Sequence, residues 1–190
     1  MIRAPLITAL LANSPAFAEP ETYVLDPSQS QTLFSYSNFG YSTTWGMFSG
    51  WEGTLDFDAE DPANSSVEVS IPASALFTGW KQRDENLSSP DFFDMATNDT
   101  VSFVSTAIDV TGDDTAKITG DLTLGGVTRS IVLDARLNQQ ADHPQEGKPW
   151  VGFTATTNLL RSEFDAGAFA PFISDEVDVQ ISIEAGKRDN

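Results

Sequence analysis

The stretch EVDVQISIEA, residues 176–185, puts Val177, Val179, Ile181 and Ile183 on one side of an extended chain and Asp178, Gln180, Ser182 and Glu184 on the other. Such strict alternation marks a strand with one face buried and the other wet. The same period of two returns in Ile131, Leu133, Ala135 and Leu137, and again in Val151, Phe153 and Ala155. Helical spacing is scarce. Runs of this kind fall at 31–39, 46–58, 66–72, 100–110, 116–124, 129–138, 150–160 and 176–185, separated by Gly, Asp, Asn and Pro.

Turn chemistry orders these runs. TGDD at 111–114 and LGGVT at 124–128 each join consecutive runs as tight hairpins, so neighbours in sequence are expected to be neighbours in a sheet. A meander of about eight antiparallel strands has two open edges, and closure into an up-and-down barrel removes both. A two-sheet sandwich is the competing arrangement. The expected class is therefore all-β, with an eight-stranded barrel as the most economical architecture. Its interior is either filled by side chains or holds one small ligand.

The 190 residues suit one domain, and 40% hydrophobic content with 13 Phe and 4 Trp supports a sizeable core. The net charge of −18, from 28 acidic against 10 basic residues, repels phosphate backbones, so no nucleic-acid partner is expected. At the N-terminus Arg3, the apolar stretch 4–12 and the small-x-small site Ala16-Phe17-Ala18 read as a cleavable leader, 1–18, with the domain proper at 19–190. The expected location is periplasmic or secreted. There is no cysteine, so core and sheet must stabilise the fold without disulfides.

Residues that could carry chemistry are sparse. The one histidine, His143, lies in the polar loop QADHPQEGKP and reads as a loop residue without a partner to orient it as a base. No nucleophile elbow or phosphate-binding loop occurs, and without Cys or paired His no zinc or haem spacing exists. The acid-rich DFDAEDP at 56–62 lacks the glycine of a calcium loop and reads as a solvated turn. No metal, cofactor or enzymatic reaction is expected. Large residues crowd the early strands instead: Phe34, Tyr36, Phe39, Trp45, Phe48, Trp51, Leu55 and Phe57. By themselves they read as packed core or as the lining of a cavity.

Between the third and fourth of these runs, TGWKQRDENLSSPDFFD at 78–94 reads as a short helix ended by Pro90, with Phe92 and Phe93 as apolar anchors. This segment, followed by VSFVSTAIDV at 101–110 and ITGDLTLGGVTRSIVLDA at 118–135, resembles the YceI-like family of secreted lipid-binding proteins. The likeness extends from YVLDPSQS at 23–30, through GYSTTWGMFSGWEGTLDFD at 40–58, to RSEFDAG at 161–167 and ISDEVDVQISIEA at 173–185. It implies an extended lipocalin-like barrel of eight antiparallel strands with a helical insert, enclosing a tunnel for a polyisoprenoid or similar long-chain amphiphile.

Under that resemblance the early aromatic face, with Phe92 and Phe93 at the lid, is expected to line the tunnel. Arg83 and Arg161 are expected either in ion pairs with Asp84 and Glu163 or against a polar headgroup at the mouth. Gln29, Asn38 and Asn86 stand where relatives often carry histidine, which removes titration near neutral pH and metal-ligand capacity from those positions. The expected function is a carrier or sequestering protein. An enzyme acting on a lipid in the same barrel, or a stress or structural protein with a filled barrel, is the alternative. Exposed edges or mouth loops leave a homodimer open.

Overall fold

A computed structural model of the chain describes residues 19–189, so the expected leader at 1–18 lies outside the described residues. The second half of the sheet follows the alternation closely: β7 (Thr100–Val110), β8 (Thr115–Leu124), β9 (Val127–Asp142), β10 (Pro149–Leu160) and β11 (Glu176–Lys187) form an unbroken antiparallel meander. The first half consists of shorter pieces: β1 (Glu21–Leu25), β2 (Gln31–Asn38), β3 (Ser42–Ser49), β4 (Glu52–Phe57), β5 (Ser66–Pro72) and β6 (Leu76–Phe77).

Pairing shows how these pieces combine. β1 and β2 both pair antiparallel with β11, one against each end of it. β3 pairs with β2 and β6, while β4 pairs with β1 and β5. Thus β1 with β2, β3 with β4, and β5 with β6 are each one strand divided by a corner, and the β1–β11 pairing closes an eight-stranded barrel. Closure leaves the long strands without a free edge.

The corners have local causes. Asp26-Pro27-Ser28-Gln29 turns between β1 and β2, with Ser28 N donating to Asp26 Oδ1 at 2.9 Å. Gly50 divides β3 from β4 at a φ of +94°, which an L side chain rarely adopts. The two corners are tied to each other and to the straight half, since Gly50 N donates to Ser30 O and Asp26 N donates to Glu184 O.

Past Pro72, where β5 still pairs with Thr100 of β7, the third divided strand leaves the barrel wall and β6 pairs with β3 alone. Helix α1 (Lys81–Ser88) and the segment 89–99 fill the seam this leaves. Ala73 N donates to Asp99 O at 2.8 Å, and Phe93 packs under the 125–126 turn. The expected insert between strands is therefore a wall component. Asp84 pins its start by accepting from Thr78 N at 2.9 Å and Thr78 Oγ1 at 2.6 Å.

Candidate functional site

Inward side chains from all eight barrel strands meet around a cavity of about 220 Å³. Its wall is almost entirely apolar. Phe34, Phe48 and Leu55 come from the divided half; Phe103, Leu133 and Val179 face them from the straight half. Leu87 and Phe93 complete the wall across the seam. Two glycines make room for rings: a Cβ at Gly46 would overlap Phe34, and one at Gly120 would overlap Phe103. Each ring lies over a bare stretch of neighbouring strand, an aromatic–glycine pairing that fixes register.

Of the residues expected to line a tunnel, Phe34, Tyr36, Phe48, Trp51, Leu55, Phe93 and Arg161 stand on the cavity wall. The others stand elsewhere. Gly46 faces inward opposite Phe34, so its neighbour Trp45 points outward and is 55% exposed. Phe39 occupies the β2–β3 turn with φ +54°, closed by Tyr41 N donating to Asn38 O; its ring stacks outside the cavity on Phe172 at 6.0 Å. Phe57 is buried, but its ring packs edge-on between Tyr23 and Phe153. Phe92 turns away from Phe93 to meet Phe169 at 6.4 Å.

The Gly50 corner resets strand parity, and this explains why Phe48 and Trp51, three positions apart, both face inward. Simple alternation from Phe48 would have put Trp51 outside.

Neither expected ion pair forms. Arg83 lies over the Trp80 ring at 5.4 Å and donates to Thr78 O, because Asp84 is already engaged by Thr78. Arg161 is half-buried on the cavity wall and donates to main-chain carbonyls: Nε to Ser174 O at 2.8 Å, Nη1 to Ala166 O at 2.6 Å and Ala168 O at 3.3 Å, and Nη2 to Ile173 O at 2.9 Å. Burial pushes its pKa down, and the charge of Asp175 opposes that shift. Arg161 is thus a clasp for the 161–175 connection. These bonds use four of the five guanidinium N–H donors, all on neutral main-chain carbonyls.

The remaining polar residues on the wall are Thr32, Tyr36, Trp51 and Thr157, with Thr154 bordering it through its backbone while its hydroxyl meets Asn138 outside. Trp51 is 8% exposed, and its indole Nε1 is the one buried side-chain nitrogen or oxygen without a hydrogen-bond partner among the described residues. An unpartnered buried donor of this kind costs about 1–3 kcal/mol. His143 sits outside the wall in the β9–β10 loop, its ring 4.8 Å from Trp150 and its Nδ1 accepting from Gln145 N and Glu146 N. Asp58, in the acid-rich turn, is buried and accepts from Glu60 N and Asp61 N at 2.9 Å each, a structural turn closure.

The YceI-like domain profile matches residues 23–185, nearly the whole described barrel. The chain belongs to the YceI-like family. A UPF0312 protein of Pseudomonas savastanoi pv. phaseolicola is 40% identical over 179 residues, covering 93% of this chain and 91% of its own. Among solved structures, Burkholderia cenocepacia BcnA has a TM-score of 0.76 at 22% identity, covering 85% of this chain and 99% of its own. A polyisoprenoid binding domain from Saccharophagus degradans, implicated in plant cell wall breakdown, has a TM-score of 0.66 at 16% identity, covering 87% and 98%. At these identities the two solved structures show the shared fold.

Within this YceI-like barrel, sequence reasoning missed the straight-half wall: Val101, Phe103, Ile118, Leu122, Ile131 and Leu133 all face the cavity. The signal was present. A barrel closed by alternating strands draws its lining from every strand, so the inward sets that define 100–135 as strands also define half of the wall.

Proposed function

We propose that the protein is an exported carrier or sequestering protein that holds one long apolar chain, a polyisoprenoid, isoprenoid quinone or similar amphiphilic lipid, inside the barrel. The observation that carries this reading is the apolar cavity lined from all eight barrel strands. β10 and β11 are each 12 residues long. At about 3.3 Å per residue and a tilt of about 40°, that gives roughly 30 Å along the barrel axis, a length suited to an extended chain. Burying such a chain removes several hundred Å² of apolar surface from water at roughly 25 cal/mol per Å², against which association costs are set. The polyisoprenoid binding of the Saccharophagus degradans domain supports the same ligand class.

Binding without chemistry is the reading that fits the wall: its charged group, Arg161, is engaged with main-chain carbonyls, and the other polar lining groups are hydroxyls and one indole. The leader at 1–18 supports export to the periplasm or medium. The experiment is delipidation followed by rebinding of a long-chain isoprenoid, with mass analysis of the recovered lipid. A carrier releases and rebinds it unchanged, and the same titration reads one lipid per chain or per pair of chains. A filled barrel does neither, and an enzyme returns an altered product. Export is checked by the N-terminus of the protein isolated from the periplasm, expected at Glu19.

A further inference from the structure

Two stretches of this chain, whose net charge is −18, carry no charge at all: residues 27–51 and residues 166–174 contain no Asp, Glu, Lys or Arg. The fold joins them at one end of the barrel, where the β2–β3 turn meets the β10–β11 connection. Phe39 N donates to Phe172 O at 2.7 Å, Ser174 N donates to Ser37 O at 2.9 Å, and Asn38 bridges to Ile173. Four rings stand on this junction. Phe39, Tyr41, Phe169 and Phe172 are 54%, 93%, 64% and 66% exposed.

The display is costly and fixed. Phe39 and Phe169 hold φ at +54° and +65°, a region that a bulky side chain enters under strain and that Gly or Asn adopts more readily. Phe172 stacks on Phe39 at 6.0 Å, and Phe169 meets Phe92 at 6.4 Å. Arg161 holds the connection through the carbonyls of Ala166, Ala168, Ile173 and Ser174. The main chain is therefore set in a form that turns apolar rings to water.

The size and charge of the face decide what covers it. Taking about 200 Å² for a whole aromatic side chain, the four rings expose roughly 500 Å², short of the ~800 Å² per partner in a stable protein interface. A second copy would also bring up an equal negative charge. A bilayer interface, in contrast, accepts amphipathic and aromatic rings, and a small apolar area there gives reversible binding. We propose that this barrel end docks on a zwitterionic phospholipid surface with the four rings inserted, and that the bound chain is exchanged with the membrane there. The same two segments supply Phe34, Tyr36 and Ala166 to the cavity wall, so the docking face adjoins the bound lipid. Asp165 and Asp175, which flank the second segment, disfavour an anionic surface. The exchange step rests on the carrier reading, whereas the docking face lies outside the cavity.

The test sediments the full mature protein with vesicles of pure phosphatidylcholine and with vesicles of equal parts phosphatidylcholine and phosphatidylglycerol. Binding to the first should exceed binding to the second, and added salt should leave it unchanged or raise it, because salt screens only the repulsion. The double variant Phe39→Asn, Phe169→Asn relieves both positive φ values, so its melting temperature should stay within a few degrees of the native one. It should bind phosphatidylcholine vesicles about tenfold more weakly and slow the transfer of a fluorescent isoprenoid between vesicles by a similar factor. After delipidation it should rebind that isoprenoid from solution with native affinity, since neither residue lines the cavity.

Failure to sediment with either vesicle, preference for the anionic one, or native vesicle binding by the double variant would each overturn the inference and leave the carrier reading standing. A dimer that the double variant disperses, in place of vesicle binding, would do the same and assign the face to a second copy. Vesicle binding by a native protein that takes up no isoprenoid from solution would overturn the exchange step together with the carrier reading.

Discussion

The barrel wall is built in two ways. In the half from Thr100 to Lys187, strands run 10 to 16 residues and bend only at bulges near Ser105 and Gly152, whereas from Glu21 to Phe77 every strand is divided by a corner. The corners at 26–30 and at Gly50 are hydrogen-bonded to one another, and past the third, at 73–75, β6 leaves the wall and makes room for α1. The straight half supplies a regular apolar surface. The divided half shapes the space in front of it and brings Trp51, whose indole nitrogen is the one buried side-chain donor without a partner among the described residues, to a corner.

If this division is right, the largest effect should come from the clasp that ends the straight half's β10. Arg161→Leu leaves the carbonyls of Ala166, Ala168, Ile173 and Ser174 without their donor, and should cost about 3 kcal/mol in denaturant unfolding. Arg161→Lys should recover little, since an ammonium cannot span carbonyls arranged around a planar fork. A loss under 1 kcal/mol for the leucine variant would show that the connection holds itself.

The glycine seats contrast the halves directly. A Cβ at Gly120 meets the Phe103 ring and also the Val104 carbonyl oxygen at 2.6 Å, while the three atoms nearest to one at Gly46 all belong to the Phe34 ring. A ring can swing into the cavity; a strand backbone cannot. Gly120→Ala should therefore cost about 2–3 kcal/mol and Gly46→Ala about 1 kcal/mol, with the Gly46 variant losing more lipid affinity because Phe34 moves into the cavity. The opposite ranking in stability would contradict the assignment of a rigid and an adjustable half.

Filling the cavity from the straight half separates binding from folding. Ala155 is on the wall and only partly buried, so Ala155→Phe should keep the melting temperature within a few degrees while lowering lipid affinity by about tenfold or more. Unchanged affinity would take Ala155 out of the site.

The smallest expected effect concerns closure between the halves, where Tyr23 faces Lys187 across the β1–β11 pair. Burial, then the charge of Glu21, raises the Tyr23 pKa above its ordinary 10.0, and the hydrogen bond to Glu21 raises that of Lys187 above its ordinary 10.5. Both groups bind their protons more tightly in the folded protein, so this stabilisation is fully present below those ordinary values and is lost as pH rises through the higher folded ones. Alkaline unfolding midpoints should fall slightly above about pH 10, and Glu21→Gln should flatten that slope.

The same division explains what could be read from the chain. In 100–135 and 150–185 alternation marked the strands and hairpins, although bulges at Ser105–Ala107 and at Gly152–Phe153 shift the register, and the first moves the inward face of β7 from the odd positions Val101 and Phe103 to the even position Ile108. It failed where backbone corners reset it: β1 is five residues ended by Asp26-Pro27, too short to show a period, and Gly50 moves the inward face from the even position Phe48 to the odd position Trp51. Trp45 and Phe39 were misplaced for related reasons, one by the inward Gly46 and the other by a turn in which a phenylalanine adopts positive φ. The polar end of β9, NQQAD at 138–142, carries no alternation and extends the hairpin through pairing with β10 alone. The hydrogen bonding of Arg161 and the lack of a partner for Trp51 depend on contacts distant in sequence.

The most direct test of the account is native mass spectrometry of the mature protein purified without detergent, followed by organic extraction. The account predicts a chain carrying one noncovalent species of isoprenoid or long-chain lipid mass, extractable and replaceable by added lipid. A bare chain whose mass stays unchanged after incubation with long-chain isoprenoids would contradict it, and the cavity would then be a packing feature of the fold.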